Sequence, residues 1–279
     1  MSNKPSSISD AITLGNEKLS AANIENFKNE VLWFLSDIIN CTIANLKLNQ
    51  SAILTSDQFD KFNNYLLDRA SGKPFQYILG YADFYGRDFF VDENTLIPRP
   101  ETEIIIDKVC KKHDKHSLLE IGTGSGCISI TIALETSINR ITSIDISNKS
   151  LKVAKKNSEK YNINNINFIN HDFFDKKKLN TFDLIISNPP YIDINDYNNL
   201  DNHVRNYEPQ IALTDYSDGL SFYRQFALIG KHIMHDDSIM LLEFGGKNQL
   251  DDIKKIFCNY NYNIHLDLQN DPRVIEINL

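Results

Sequence analysis

The stretch Phe182-Asp183-Leu184-Ile185-Ile186-Ser187-Asn188-Pro189-Pro190-Tyr191 constrains the chain more than any other. An apolar run ended by two prolines reads as a buried parallel strand that stops abruptly, because proline brings no ladder donor and pins φ. Asn188 and Tyr191 then stand at a strand's carboxyl end, the edge of an open α/β sheet where ligands bind. The prolines also stiffen the corner. The Asn188 carboxamide and the carbonyls beside it become fixed hydrogen-bonding groups, suited to holding a planar NH2-bearing partner.

Residues 117–279 alternate strand and helix. The strands read Leu118–Ile121, Ile141–Ile146, Ile166–Ile169, Phe182–Ser187, Ile239–Phe244, Ile264–Leu268 and Val274–Leu279, with helices near 126–136, 148–161, 219–234 and 248–259. This pattern predicts an α/β fold with a doubly wound sheet. Only Gln269 to Arg273 separate the last two strands, too few residues for a parallel crossover, so they are expected to form an antiparallel hairpin.

Residues 1–74 carry helical spacing and are expected to form a small bundle. Ser9 or Asp10 is a candidate cap for its first helix, and Thr55 or Ser56 for a later one that closes at Gly72 and Pro74. Residues 75–97 change to a strand-like pattern broken by Gly80 and Gly86, which suits a linking β-hairpin. The third region, 98–279, opens on the rigid loop Ile97-Pro98-Arg99-Pro100-Glu101-Thr102-Glu103. Arg99 in that loop either meets a carboxylate bidentately or forms a structural salt bridge.

The first core strand runs into Glu120-Ile121-Gly122-Thr123-Gly124-Ser125-Gly126-Cys127. Alternate glycines let the backbone approach a ligand, with amides opening onto a helix amino terminus. A dinucleotide fingerprint would want its third glycine at position 127, where Cys stands. The second strand ends at Asp145, about twenty residues on, where an acid accepts from ribose hydroxyls; Ser147 is left as the cap of the next helix. The third ends in Asn170-His171-Asp172-Phe173, where Asp172 can accept from an exocyclic amine and Phe173 can pack on a ring face. Four successive strand ends thus form a line of ligands for one adenosine-bearing molecule.

The Gly122–Gly126 loop, Asp145, Asp172 and Asn188-Pro189-Pro190-Tyr191, together with the Pro98–Glu103 segment and Val204-Arg205-Asn206-Tyr207-Glu208-Pro209, resemble the peptide-chain release factor glutamine methyltransferases, the PrmC/HemK family. The resemblance runs from about Lys73 to the carboxyl end. Where this family often has Trp after the third-strand Asp, Phe173 stands here. The resemblance implies a class I S-adenosylmethionine-dependent methyltransferase fold, Rossmann-like and seven-stranded; the N-terminal bundle, from its position and class alone, is expected to be a substrate-docking domain. It implies S-adenosyl-L-methionine as cofactor, S-adenosyl-L-homocysteine as product, and the glutamine of the release factors' Gly-Gly-Gln motif as methyl acceptor. Carried over, Gly122, Thr123, Gly124, Ser125 and Gly126 line the methionine part, Asp145 the ribose, and Asp172 with Phe173 the adenine. Glu120 and Thr102 reach toward the amino-acid end. Asn188, Pro189, Pro190 and Tyr191 hold the glutamine, with the Asn188 oxygen and the Pro189 carbonyl accepting its two amide hydrogens.

Adenine-N6 nucleic-acid methyltransferases share the Asn-Pro-Pro-Tyr corner, but they need a target-recognition segment and a basic surface to hold a flipped base. A net charge of −8 weighs against phosphate neutralisation as a main source of affinity, so no direct nucleic-acid binding is expected. Cys41, Cys110, Cys127 and Cys258 lack metal spacing and read as reduced, mostly buried thiols of a cytosolic protein. No metal site is expected; His232 and His235 read as one helix face. The amino terminus lacks a signal peptide's apolar core and no run is long enough to span a membrane, so a cytoplasmic location is expected. Runs rich in Asn and Lys, Asn162–Asn170 and Lys176–Lys178, read as solvated turns.

Overall fold

The computed structural model describes residues 7–112, 114–175 and 179–279; Lys176–Lys178 lie outside the described residues. The chain divides into two units, Met1–Gly80 and Tyr81–Leu279.

The first unit is helical: α1 (Ile8–Ala21), α2 (Phe27–Ile39), α3 (Ile43–Leu48), α4 (Ser56–Ala70) and α5 (Phe75–Leu79). The cap of α1 is Ser7 rather than Ser9 or Asp10. Its hydroxyl accepts the Asp10 N–H while the Asp10 carboxylate accepts the Ser7 N–H, a reciprocal pair that satisfies two orphan donors. Thr55 and Gln58 form the same box at α4. Phe34, Leu35, Phe62 and Leu66 are fully buried in its core. A largely buried Arg69–Glu30 pair at 2.6 Å ties α4 to α2.

The segment Phe75–Leu79, expected in the hairpin, is instead helix α5. Pro74 precedes it, Gly80 ends it at φ +80°, and Phe75, Ile78 and Leu79 pack on the helical core. The hairpin is shorter, β1 (Tyr81–Phe84) with β2 (Arg87–Phe90), antiparallel. It belongs to the second unit and is not a free linker. Phe84 and Phe89 are buried in the cluster that contains Leu118, Ile130 and Leu184, and each such burial contributes on the order of 2 kcal/mol. Asn157, fully buried, fixes the hairpin edge: its side chain exchanges hydrogen bonds with Phe90 N and O and also donates to Ser125 O at 2.8 Å.

The second unit continues through a short turn, Pro100–Thr102, into α6 (Glu103–Val109), β3 (Ser117–Ile121), α7 (Cys127–Glu135), β4 (Arg140–Asp145), α8 (Asn148–Lys160), β5 (Ile166–Asn170) and β6 (Leu184–Ser187). Three short helices follow, α9 (Ile194–Tyr197), α10 (Asn202–Arg205) and α11 (Gln210–Leu213), then α12 (Ser221–Ile233), β7 (Ile239–Glu243), α13 (Lys247–Ile256), β8 (Asn261–Leu266) and β9 (Pro272–Asn278). Among the described residues the main sheet has seven strands in the order β5-β4-β3-β6-β7-β9-β8. β9 runs antiparallel to both its neighbours, as the short connection demands. β3, β6 and β7 are buried along their whole length, which is why they read as unbroken apolar runs.

Strand order reverses between β3 and β6, so the crevice at their carboxyl ends is the topological switch point of the sheet. Asp183, just before β6, sets this pair in register: its carboxylate accepts from His116 N, Ser117 N and Ser117 Oγ at 2.7–2.9 Å. His235 pairs with the same carboxylate at 2.9 Å. That residue lies beyond the end of α12, so His232 and His235 do not share a helix face. Of the four cysteines only Cys127 is buried; Cys258 is exposed, and Cys41 and Cys110 are intermediate, so the expectation of mostly buried thiols does not hold. Among the described residues no helix is long and apolar enough to cross a membrane.

Candidate active site

A cavity of about 280 Å³ opens at the switch point. Its wall includes Gly122, Thr123, Gly124, Ser125, Asp145, Asp172, Phe173, Asn188, Pro189 and Pro190, so the loops after β3, β4, β5 and β6 meet around one space. Gly126, Glu120 and Tyr191 do not line it.

The glycine loop takes the shape its composition allows. Gly122, Gly124 and Gly126 have φ of +77°, +54° and +79°, a left-handed conformation that side chains disfavour. Gly124 has nothing within 4 Å of where a Cβ would stand, so the loop leaves a cradle of backbone open to a ligand. Gly126 is the cap of α7, and a Cβ there would press on Ala154 at 3.1 Å, so its task is the close approach of α7 to α8. The Asp145 carboxylate anchors the loop: Oδ2 accepts Gly124 N at 2.9 Å and Oδ1 accepts Ser147 N at 2.8 Å. Burial pushes its pKa above the ordinary carboxylate value, against the opposing pull of those two N–H donors. Ser147 caps α8 by accepting Ser150 N, which frees Asp145 for the cavity.

Glu120 and Phe173 are both largely buried. Glu120 is fully buried beneath the loop, where it accepts a 2.5 Å hydrogen bond from the Thr123 hydroxyl; it supports a wall residue and does not itself reach the cavity. Burial raises its pKa, with the Thr123 bond opposing. Phe173 is 4% exposed and packs on Phe226, ring centroids 4.5 Å apart, so little of its face is free. Phe174, 45% exposed, and Phe222 also line the cavity and meet edge-to-face at 4.9 Å. Asp172, exposed, accepts Phe174 N at 2.9 Å, which holds that ring at the rim.

The corner after β6 is built as its prolines suggest. Among the described residues no peptide is cis, so Asn188-Pro189 is trans. Asn188 Nδ2 donates to Thr102 Oγ1 at 3.0 Å, and among the described residues its Oδ1 accepts no hydrogen bond. The carboxamide therefore keeps an acceptor to offer. Tyr191 lies off the cavity wall, partly buried against the core cluster. Its carbonyl accepts Gln249 Nε2 at 2.7 Å, and burial drives its phenol pKa upward. Tyr191 closes the corner outside the cavity wall.

Arg99 is paired. Its Nη2 donates to Glu208 Oε1 at 2.5 Å, and Glu208 Oε2 accepts Ile97 N at 3.2 Å. Of the two readings of Arg99, the structural salt bridge is the one formed. The wall also contains residues to which the sequence assigned no role, the segments Asn94–Leu96 and Thr214–Tyr216.

Residues 10–80 match the PrmC N-terminal domain family and residues 112–220 match a methyltransferase domain family. The release factor glutamine methyltransferase of Fusobacterium nucleatum is 37% identical over 267 residues, which cover 93% of this chain and 75% of that protein. The chain belongs to the release factor glutamine methyltransferase family. A bifunctional methyltransferase of Rickettsia bellii is also 37% identical, over 306 residues; the match takes in 98% of this chain, which spans only 55% of that longer relative. Among solved structures, the hMettl16 catalytic domain in complex with MAT2A 3′UTR hairpin 1 superimposes with a TM-score of 0.56 over 88% of this chain and 90% of that one. At 15% identity that likeness shows the methyltransferase fold alone. Within the release factor glutamine methyltransferase family, the Arg99–Glu208 bond is notable for joining the two segments, Pro98–Glu103 and Val204–Pro209, that carry much of the resemblance.

Proposed function

We propose that this chain transfers the methyl group of S-adenosylmethionine to the side-chain amide nitrogen, N5, of the glutamine in the Gly-Gly-Gln motif of peptide chain release factors. The observation that carries this reading is the Asn188 carboxamide, held by Thr102 on its NH2 side and free on its oxygen side, at the wall shared with the glycine cradle. The cradle, the anchored Asp145 and the aromatic rim suit a cofactor with an amino-acid end, a ribose and an adenine. When bound, S-adenosylmethionine supplies an electrophilic methyl on a sulfonium and leaves as S-adenosylhomocysteine.

The chain's own residues then have a defined task. An amide nitrogen is a weak nucleophile because its lone pair is delocalised into the carbonyl. Asn188 Oδ1 and the Pro189 carbonyl accept its two hydrogens, favour a pyramidal nitrogen and aim the lone pair for in-line attack. Positioning of this kind supplies most of the rate, and no general base is needed, since the proton of an alkylated amide leaves readily to water. Gly122 to Ser125 and Asp145 hold the cofactor, and Phe174 with Phe222 offer the adenine more ring surface than the buried Phe173. The helical unit docks the release factor, and work on translation factors places the protein in the cytoplasm.

The test is tandem mass spectrometry of full-length release factor after incubation with this protein and S-adenosylmethionine. One added methyl on the Gly-Gly-Gln glutamine is expected. A methyl on another residue, or methylated adenine in added DNA with none on the release factor, would overturn the proposal.

A further inference from the structure

Asn157 is a fully buried polar side chain of α8 to which the chemistry above gives no task. Its hydrogen bonds join parts of the second unit that lie far apart in sequence. Oδ1 accepts Phe90 N at 2.7 Å, while Nδ2 donates to Phe90 O at 3.0 Å and to Ser125 O at 2.8 Å. Phe90 is the last residue of β2, and Ser125 belongs to the glycine cradle and lines the cavity.

The two partners act in order. Phe90 presents a backbone donor and a backbone acceptor, whose roles cannot be exchanged, so they fix which end of the Asn157 carboxamide is which. Turned by 180°, its oxygen would meet the Phe90 and Ser125 carbonyls and its NH2 would meet the Phe90 N–H. The NH2 end so fixed holds the Ser125 carbonyl. The other side of that peptide group, Gly126 N–H, donates to Thr123 O at 2.8 Å, so the peptide plane is held at both ends. Such restraint has to come from outside the loop, because Gly124 and Gly126, which flank Ser125 at φ +54° and +79°, supply little stiffness of their own. Asp145 holds the cradle at Gly124 N from β4. Asn157 holds it from the hairpin side. Two turns earlier on α8, Ser150 Oγ donates at 2.8 Å to the carbonyl of the wall residue Asn94, a second tie between this helix and the chain that follows the hairpin.

We propose that Asn157 is a positioning residue for the cofactor: oriented by the edge of the β1–β2 hairpin, it sets the Ser125–Gly126 peptide of the cradle in the shape the cofactor meets. The proposal rests on the reading of that cradle as the S-adenosylmethionine site, but the three-way tie is a property of the protein alone. The hairpin thereby gains a part in cofactor affinity although its strands do not line the cavity. A cradle ordered before the cofactor arrives lowers the ordering cost of binding, so the tie acts on affinity and not on the chemical step.

The experiment compares wild type, Asn157→Asp and Asp183→Asn. The first variant keeps an acceptor for Phe90 N but has at most one proton for the Phe90 and Ser125 carbonyls; the second weakens the β3–β6 pairing and leaves the cradle's own bonds intact. Calorimetric titration with S-adenosylhomocysteine is expected to give Asn157→Asp a Kd higher by on the order of tenfold, the scale of one lost hydrogen bond, with Asp183→Asn close to wild type. At saturating cofactor, kcat of Asn157→Asp is expected to stay within about twofold of wild type. Amide hydrogen exchange without cofactor is expected to show Gly124 and Gly126 less protected in Asn157→Asp than in the other two proteins. Unchanged Kd, unchanged loop protection, an equal loss of affinity in Asp183→Asn, or a fall in kcat as large as the rise in Kd overturns the proposal. Should Asn157→Asp not fold, the wild type decides by NMR: S-adenosylhomocysteine is expected to shift the Asn157 side-chain NH2 resonances and slow their exchange, and resonances indifferent to it overturn the proposal. A wild type that binds no S-adenosylhomocysteine, with loop protection still lost in Asn157→Asp, upholds the tie and faults the assigned cofactor instead.

Discussion

Arg99 Nη2 and Glu208 Oε1 meet at 2.5 Å across 109 residues of sequence, with the Glu208 side chain 1% exposed and that of Arg99 one-third exposed at 33%. The bond fastens the loop before α6 to the segment before α11, and the Ile97 N–H completes the carboxylate's partners. Arg99→Ala leaves a buried carboxylate short of its cation. A loss of about 1–3 kcal/mol is expected in chemical denaturation, and a variant as stable as wild type would show that the bond is not holding these loops.

Gly219, at φ +75°, passes so close to the proline corner that a Cβ would stand 2.2 Å from the Tyr191 carbonyl oxygen. No side chain can be added without moving that backbone. Gly219→Ala is expected to shift the corner and lower turnover by on the order of a hundredfold, the scale of an ångström-sized misplacement. Steady-state kinetics at saturating cofactor check this, and wild-type turnover would mean the corner's position is not what sets the rate.

The helical unit can be tested by removal. A chain lacking residues 1–80 is expected to lose rate on intact release factor far more than on a short Gly-Gly-Gln peptide. Equal rates on intact factor, with circular dichroism showing the second unit folded, would remove the docking role.

Asp183 predicts how stability responds to acid. Burial alone would raise its pKa, but donors from His116, Ser117 and His235 outweigh it and hold the carboxyl well below its ordinary value. A depressed folded pKa stabilises the protein above the unfolded pKa, and that contribution is lost as pH falls toward the folded one. Asp183→Asn is therefore expected to be less stable near neutral pH, with the gap to wild type closing below about pH 4. Urea denaturation at a series of pH values measures it; a constant gap would contradict the assignment.

The centre of the sheet was legible because β3, β6 and β7 are buried on both faces, and β6 is bounded by residues with strong backbone preferences. Leu184 to Pro189 shows this best, since β-branched burial and proline both act locally. Asp145 was legible for a similar reason, as an acid at a strand's end. Phe173 lines the cavity as expected, but adjacent aromatics look alike in one dimension, and nothing local says that Phe173 packs on Phe226 while Phe174 and Phe222 share the wall. Phe75–Leu79 resembled a strand because four apolar or aromatic residues in a five-residue segment show no clear period. Thr102 and Asn188 stand 86 residues apart, and nothing local says that the hydroxyl of one meets the carboxamide of the other.

The account turns on Asn188. Single-turnover methyl transfer to release factor by Asn188→Ala, with cofactor Kd determined on the same preparation, tests it most directly. The predicted result is a rate lower by on the order of a hundredfold or more with cofactor affinity largely kept, as for loss of one orienting group. A near-normal rate would contradict the role assigned to this carboxamide and, with it, the chemistry built around the corner.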